Sequence, residues 1–162
     1  GEKGTFGKHT LWSESTRVPL IIKLPWMKGG KKINNPVELL DLYPTLLEVT
    51  NLPKNPLNEG KSLISLINGK TEDLRPAITT YGINNHSLIN ETHRYIKYED
   101  GSEELYDLIN DPNERNNIAD RDGSDLIKSK FGKYIPSLNE PWSLKSYNRV
   151  NEYFRRTSNT EN

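Results

Sequence analysis

AITTYGINNHSLINETHRYIKYEDGSEELYDL, residues 77–108, decides the fold. Four short segments in it are rich in β-branched and aromatic residues: Ala77-Ile78-Thr79-Thr80-Tyr81, Ser87-Leu88-Ile89, Tyr95-Ile96-Lys97-Tyr98 and Glu104-Leu105-Tyr106-Asp107-Leu108. Such residues suit a pleated, half-buried surface. The third segment alternates apolar and polar positions, and Asp100-Gly101 after it is a tight hairpin signal. Short strands in succession with no long helical pattern between them imply an antiparallel sheet. Downstream, Asn110-Asp111-Pro112-Asn113-Glu114 reads as a turn entering a helix, because Pro112 suits a first helical turn. Asn116-Asn117-Ile118-Ala119 continues that helix, and residues 124–131 read as a further helical turn or two.

Upstream the pattern is different. Arg17-Val18-Pro19-Leu20-Ile21-Ile22-Lys23-Leu24-Pro25 is a nearly continuous apolar run. It reads as a strand covered on both faces, in a parallel or mixed sheet flanked by helices. Pro19 places its start near a sheet edge or bulge. Residues 36–52 contain the best helix. Asp41 can cap its first turn, Pro44 sits where a missing N–H costs little, and Leu42, Leu46, Leu47 and Val49 recur at helical spacing. Leu63 to Ile67 gives a short helical pattern ending at Asn68-Gly69. The expected class is α/β: a mixed-sheet strand and helix, then a small antiparallel subdomain with a packed helix. The expected divisions are 1–75, 76–135 and an extended, partly disordered tail over 136–162.

Composition narrows the function classes. The 22 basic and 22 acidic residues balance, which argues against a generic nucleic-acid or anionic-membrane binder. There is no cysteine, so disulfides, zinc–thiolate sites and thiol catalysis are excluded for this chain. No apolar run is long enough for a transmembrane helix. The sequence opens on Gly1-Glu2-Lys3-Gly4, inside a glycine-punctuated loop, and so reads as the later part of something longer.

The residue in that loop best suited to chemistry is Lys8. A preorganised cation stabilises negative charge on a bound anion or in a transition state. From the residues alone a solvated surface lysine is the competing reading. His9 reads as a hydrogen-bonding neighbour, since one histidine makes no metal site. Glu14, Arg17, Tyr106, Asp107 and Asp111 read as structural, in ion pairs, caps and turns.

Three motifs then add up to a resemblance. GEKGTFGKHTLWSESTRVPLII resembles the segment of type I sulfatases that follows their metal-binding Asp-His-Gly, most closely in the iduronate-2-sulfatase-like branch. VELLDLYPTLLEVTNLP is similar to the family's helix, and YIKYEDGSEELYDLINDPNERNNIA to its C-terminal subdomain. The likeness covers about residues 1–120. It implies the end of an alkaline-phosphatase-like catalytic sandwich over 1–75 and that family's C-terminal subdomain after it. It implies a formylglycine nucleophile and a divalent cation, usually calcium, both supplied upstream of these residues. It implies that Lys8 contacts the sulfate, and that His86, in the Asn84-Asn85-His86-Ser87 turn, is a second candidate for sugar contact. An exposed loop histidine is the competing reading of His86. Lys3 departs from the histidine of some relatives, and no catalytic role is carried onto it.

The implied partners are a sulfated carbohydrate and the missing N-terminal part of the same domain, with no nucleic acid and no membrane. The implied location is periplasmic or extracellular. The nucleophile motif Cys/Ser-x-Pro/Ala-x-Arg and the metal-binding acidic pairs do not occur here, so these 162 residues alone are expected to be inactive. Two alternatives stay open: a phosphodiesterase or phosphonate monoester hydrolase of the same superfamily, and a non-catalytic carbohydrate-binding or structural module. Exposed aromatics lined along one face of the sheet would favour the module; a buried sheet packed on a helix at 112–119 would not.

Overall fold

The structure is a computed structural model that describes residues 2–4, 9–70 and 74–137. Its centre is the expected antiparallel sheet. Strands β1 (Ala77–Thr80), β2 (His86–Ile89), β3 (His93–Lys97) and β4 (Glu103–Asp107) lie side by side in sequence order. Register pairs Leu88 with both Ile78 and Tyr95, and Tyr95 with Leu105. Side chains alternate across a sheet, so these residues share one face. Ser87, Ile96, Arg94 and Tyr106 share the other.

Both faces are covered. On the first, Leu88, Tyr95 and Leu105 pack with Ala119 and Phe131. Phe131 comes from helix α4 (Ser124–Gly132), whose Ile127 packs against the same cluster four residues earlier. Spacing of four puts both side chains on one helix face. Gly123, at φ +85°, makes the sharp turn that starts α4, and the Ser124 hydroxyl donates to Ile118 O at 2.6 Å. On the second face Leu11 packs on Ile96 and Tyr106, with Trp12, Tyr81, Tyr98 and Leu108 around them. Full burial of each aliphatic side chain here stabilises by roughly 1.5–3 kcal/mol. A row of exposed aromatics, the mark of a carbohydrate-binding sheet, is not what these faces present: Tyr95 and Tyr106 are both buried.

Both sheet edges are occupied by loops. Glu38 accepts the Ile78 N–H of β1. Leu105 of β4 donates to Asn117 Oδ1 at 2.9 Å and accepts from Ile118 N at 2.8 Å. An unpaired edge would otherwise template association with another polypeptide.

Four expectations need correction. Residues 17–25 form no strand; Ile21 is 90% and Val18 61% exposed, and of this run only Leu24 is buried. A strand exists only by exchanging hydrogen bonds with a neighbour. Among the described residues the only strands are β1–β4, and the β1 edge is taken by Glu38.

Residues 112–119 are turns, not a helix. Glu114 sits at φ +54°, its N–H bonds Asp111 O, and Asp111 Oδ2 accepts from Asn116 N at 2.7 Å. The bonds of Asn117 and Ile118 to β4 hold this backbone in a path no helix could follow. The helix that packs on the sheet is α4.

Finally, the helix within 36–52 forms as expected after Asp41, as α2 (Leu42–Val49), but a 3-10 turn at Leu39–Asp41 precedes it and the role of Asp41 differs. Asp41 does not cap α2. It faces back, accepting from Glu38 N at 2.9 Å, Lys61 N at 2.8 Å and Arg75 Nη2 at 3.2 Å. Thr45 is the buried residue of α2; Leu39, Tyr43 and Leu46 are exposed at helical spacing. The cover α2 does have is thin: helix α3 (Ile64–Ile67) packs beside it, and Leu63 N donates to Thr45 Oγ1 at 2.8 Å. Arg75 also pairs with Glu38, so the two halves of the molecule meet through charge at residue 75. Residues 138–162, most of the expected tail, lie outside the described residues.

His86 is in β2 rather than in the preceding turn. It is 5% exposed, and its Nδ1 lies 2.9 Å from Thr80 Oγ1 on the neighbouring strand. Burial, and then the nearby Lys97 ammonium, hold its pKa below the usual histidine value.

Two outcomes are expected. A Cβ on Gly60 would stand 2.0 Å from Leu40 O, so Gly60→Ala should destabilise the fold by about 1–3 kcal/mol in urea denaturation. Because folding depresses the His86 pKa, the unfolded state takes up its proton first as pH falls. The stability that neutral His86 allows is complete above its unfolded pKa and declines below it. Urea midpoints taken at about pH 7.5 and about pH 5.5 should therefore drop toward acid, and drop less in His86→Gln.

Candidate functional site

Lys8 lies outside the described residues; the described residues flanking it in the sequence are Lys3 on one side and His9 to Thr16 on the other. Where these flanking residues touch the sheet and its loops, they do so on one face.

The strongest anchor is a buried ion pair. Arg94 of β3 and Glu114 are 1% and 0% exposed and meet at 2.6 Å through Arg94 Nε and Glu114 Oε1. Their remaining atoms reach the N-terminal segment and helix α1 (Ser13–Thr16). Glu114 accepts the Ser13 N–H at 2.9 Å and the Ser13 hydroxyl at 2.6 Å. Arg94 donates to Leu11 O at 3.0 Å, Ser13 Oγ at 3.0 Å and Thr16 Oγ1 at 3.3 Å, and to Ser87 Oγ of β2 at 2.6 Å. Charged hydrogen bonds of this kind are short and strong. They hold Glu114 in a left-handed backbone that a non-glycine residue adopts at a cost of about 1–3 kcal/mol.

A second anchor surrounds Glu104. Its Oε2 accepts from Trp12 Nε1 and from Tyr106 OH, each at 2.7 Å, and its Oε1 from Tyr98 OH at 3.1 Å. Burial first, and the Glu104 carboxylate with it, push the Tyr98 and Tyr106 phenols well up, so both stay protonated donors. Lys3 caps this group. Its ammonium donates to Tyr106 OH at 3.1 Å and lies 4.2 Å from the Tyr106 ring centre and 5.3 Å from that of Trp12. A cation over aromatic faces gains about 0.5–1 kcal/mol at exposed sites. Lys3 is thus engaged in packing against Tyr106 and Trp12. A third contact is His9 stacked on Tyr81, 5.8 Å between centres and 16° apart.

His86 is not part of this constellation. Register puts it opposite Thr80 and Lys97, on the face that α4 covers, while Arg94, Glu104 and Tyr106 point the other way. Asp107 and Asp111 are turn residues as expected: Asp107 accepts from Ile109 N at 3.0 Å and Asn110 Nδ2 at 2.7 Å, and Asp111 from Asn116 N. The pair missed by sequence reasoning is Arg94–Glu114. A signal existed, since alternation places Arg94 on the same strand face as Ile96. Among the described residues no three His, Cys, Asp or Glu groups gather to hold a metal ion.

Comparison with known proteins accords with this geometry. The protein-family profile described as N-sulphoglucosamine sulphohydrolase, C-terminal, matches residues 1–140. A protein of Formosa agariphila named Sulfatase is 44% identical over 160 residues, covering 95% of this chain and 31% of its own length. Arylsulfatase K of Homo sapiens is 31% identical over 134 residues, covering 73% of this chain and 25% of its own. The chain thus spans about a third or less of these curated relatives. The solved structure of BT4656, in complex with its substrate D-glucosamine-2-N,6-O-disulfate, aligns at a TM-score of 0.51 and 18% identity. That alignment covers 58% of this chain and 22% of that one, and at this identity it speaks for the fold. With a profile match over residues 1–140, which include the sheet and α4, the chain belongs to the sulfatases, in the family of N-sulphoglucosamine sulphohydrolase C-terminal domains.

Proposed function

We propose that the complete protein hydrolyses sulfate esters on a sulfated glycan, and that this part of it supplies one anion-contacting cation, Lys8. The observation that carries the reading is the anchoring of Lys3, His9 and Leu11–Thr16 to one sheet face, on both sides of Lys8 in the sequence. Family membership and the names of the relatives support the reaction class. The sugar is left at sulfated glycan. The iduronate-2-sulfatase-like branch is favoured by the Lys8 loop motif alone, and Lys3 stands where some relatives have histidine.

The chemistry open to these residues is electrostatic. Sulfate-ester cleavage places negative charge on the sulfate oxygens and the leaving oxygen. A lysine ammonium held at a fixed place in a water-poor cleft stabilises that charge more than one free in solvent. The calcium and formylglycine that the family resemblance implies would be held by other residues of the complete protein, where they would supply a Lewis acid for the sulfate oxygens and a nucleophile. The nucleophile motif Cys/Ser-x-Pro/Ala-x-Arg does not occur in these residues. Leu39, Tyr43 and Leu46, exposed at helical spacing, would pack against the upstream part of the catalytic domain. On the same reading, these 162 residues are inactive without the rest of the catalytic domain. Secretion to the periplasm or outside the cell belongs to the same reading. No helix among the described residues is long and apolar enough to cross a membrane.

In the complete protein, Lys8→Ala should lower turnover of a sulfated disaccharide about 10²–10³-fold, measured as sulfate release, with an unchanged melting temperature. Turnover near that of the wild type would remove Lys8 from the mechanism. Residues 1–162 alone should release no sulfate under the same conditions.

A further inference from the structure

We propose that residues 23–32 form a binding site for a sulfated polysaccharide, in which Trp26 stacks on a sugar ring while Lys28 and Lys32 meet its sulfates. The contact serves a long chain and not a single disaccharide. The choice of a sulfated ligand rests on the sulfate-ester reading above.

The balanced net charge hides an uneven distribution. Residues 15–37 include five basic side chains, Arg17, Lys23, Lys28, Lys31 and Lys32, and no Asp or Glu. Lys23, Lys28, Lys31 and Lys32 are all exposed. Lys28 and Lys32 make no ion pair with any described residue. Like charges this close along a chain repel one another, and a polyanion relieves that repulsion.

Trp26 stands among these lysines and is 63% exposed. The other described tryptophan, Trp12, is instead bonded to Glu104. The turn that carries Trp26 is anchored. Leu24 is buried at its base, Met27 N donates to Leu24 O at 3.0 Å, and the Lys23 ammonium donates to Met27 O at 2.8 Å. That last bond puts a cation on the same turn as the indole. Gly29 and Gly30, at φ +82° and +77°, follow Lys28 with open space where side chains would stand. Lys31 then ties the loop to the end of α3, donating to Ile67 O at 2.6 Å, and Asn35 bonds Glu91 beyond it. A loop held at several points loses less freedom on binding than a loose one.

The chemistry suits a sulfated sugar chain. The C–H face of a sugar ring is apolar and packs on an indole, whose negative π face attracts those hydrogens. Sulfate groups are fixed anions, which lysine ammonium groups meet as point charges. Sites for small ligands enclose most of the ligand. This loop offers one ring and several cations in the open, an arrangement that gains from a chain touching many points at once. The upstream part of the catalytic domain is a poor occupant, since covering the loop would strip water from its lysines, whereas Leu39, Tyr43 and Leu46 offer that part an uncharged face.

The test uses the complete protein, with heparin as the probe polysaccharide and a sulfated disaccharide as the small substrate. Trp26→Ala and the double variant Lys28→Glu/Lys32→Glu should each weaken heparin binding about tenfold or more. Lys130→Glu/Lys133→Glu makes the same charge change at two other exposed lysines and should weaken it by less than about twofold. Sulfate release from the disaccharide should match the wild type in all three.

Unchanged heparin binding in either loop variant, or an equal loss in the Lys130/Lys133 variant, would overturn the assignment. A parallel loss of disaccharide turnover would overturn it too, by placing these residues at the reacting sulfate. So would single-stranded DNA of equal charge that displaces heparin at equal concentration, which would make the loop a general anion binder. Melting temperatures check folding, and if one loop variant fails to fold the other decides. A wild type that binds heparin through this loop and releases no sulfate overturns the reaction reading and leaves the site. A wild type that releases sulfate without binding heparin through the loop overturns the site alone.

Discussion

Two opposite charges sealed away from water organise this molecule. Removing Arg94 and Glu114 from solvent costs several kcal/mol per ion, and only dense hydrogen bonding offsets that. The partners come from three places in the sequence: Ser87 of β2, the segment Leu11–Thr16, and the turn that carries Glu114 itself. None of the three can leave without stranding a buried charge. The N-terminal segment is thereby part of the core of the small sheet, although nearly eighty residues separate it from β3. The left-handed backbone at Glu114 follows from the same requirement, since that turn delivers the carboxylate inward.

The two faces of the sheet do different work. The α4 face is largely a packing surface: Tyr95 meets Phe131 at 6.0 Å, and Lys128 reaches across to Glu103 at 3.0 Å. The opposite face is polar and directional, built around Arg94 and Glu104. It receives Lys3 and the segment Leu11–Thr16. Loops block both sheet edges, so the meander is finished as a unit. Residues 17–57 contrast with it: Val18, Ile21, Trp26, Leu39, Leu46 and Leu57 all stay open to solvent.

Local signals made the sheet legible. Alternation, β-branched residues and the Asp100-Gly101 turn encode strands within a few residues of where they form, and all four appear in the expected order. The errors share one cause. An apolar run at 17–25 shows that burial suits it but not whether a neighbouring strand is there to bond with. Pro112 fits a first helical turn and a plain turn equally; the pull of Arg94 on Glu114 and of β4 on Asn117 and Ile118 selects the turn. Asn84, at φ +60°, does make a turn, but pairing begins at His86, which moves that ring from a loop to a buried strand face. Asp41 was legible as a cap by its type, while the groups it binds come from Lys61 and Arg75, far off in the sequence.

From sequence alone came the order of the strands, the family likeness of the three motifs, the absence of any cysteine and the singling out of Lys8, because each depends on residue type and short-range spacing. Tertiary structure alone decided that Arg94 and Glu114 meet, that Leu11–Thr16 is held on their face of the sheet, and that His86 lies on the other. Those facts depend on which distant groups share a buried volume. A charge buried there must find partners wherever the fold brings them, and no pattern of neighbours along the sequence records that search.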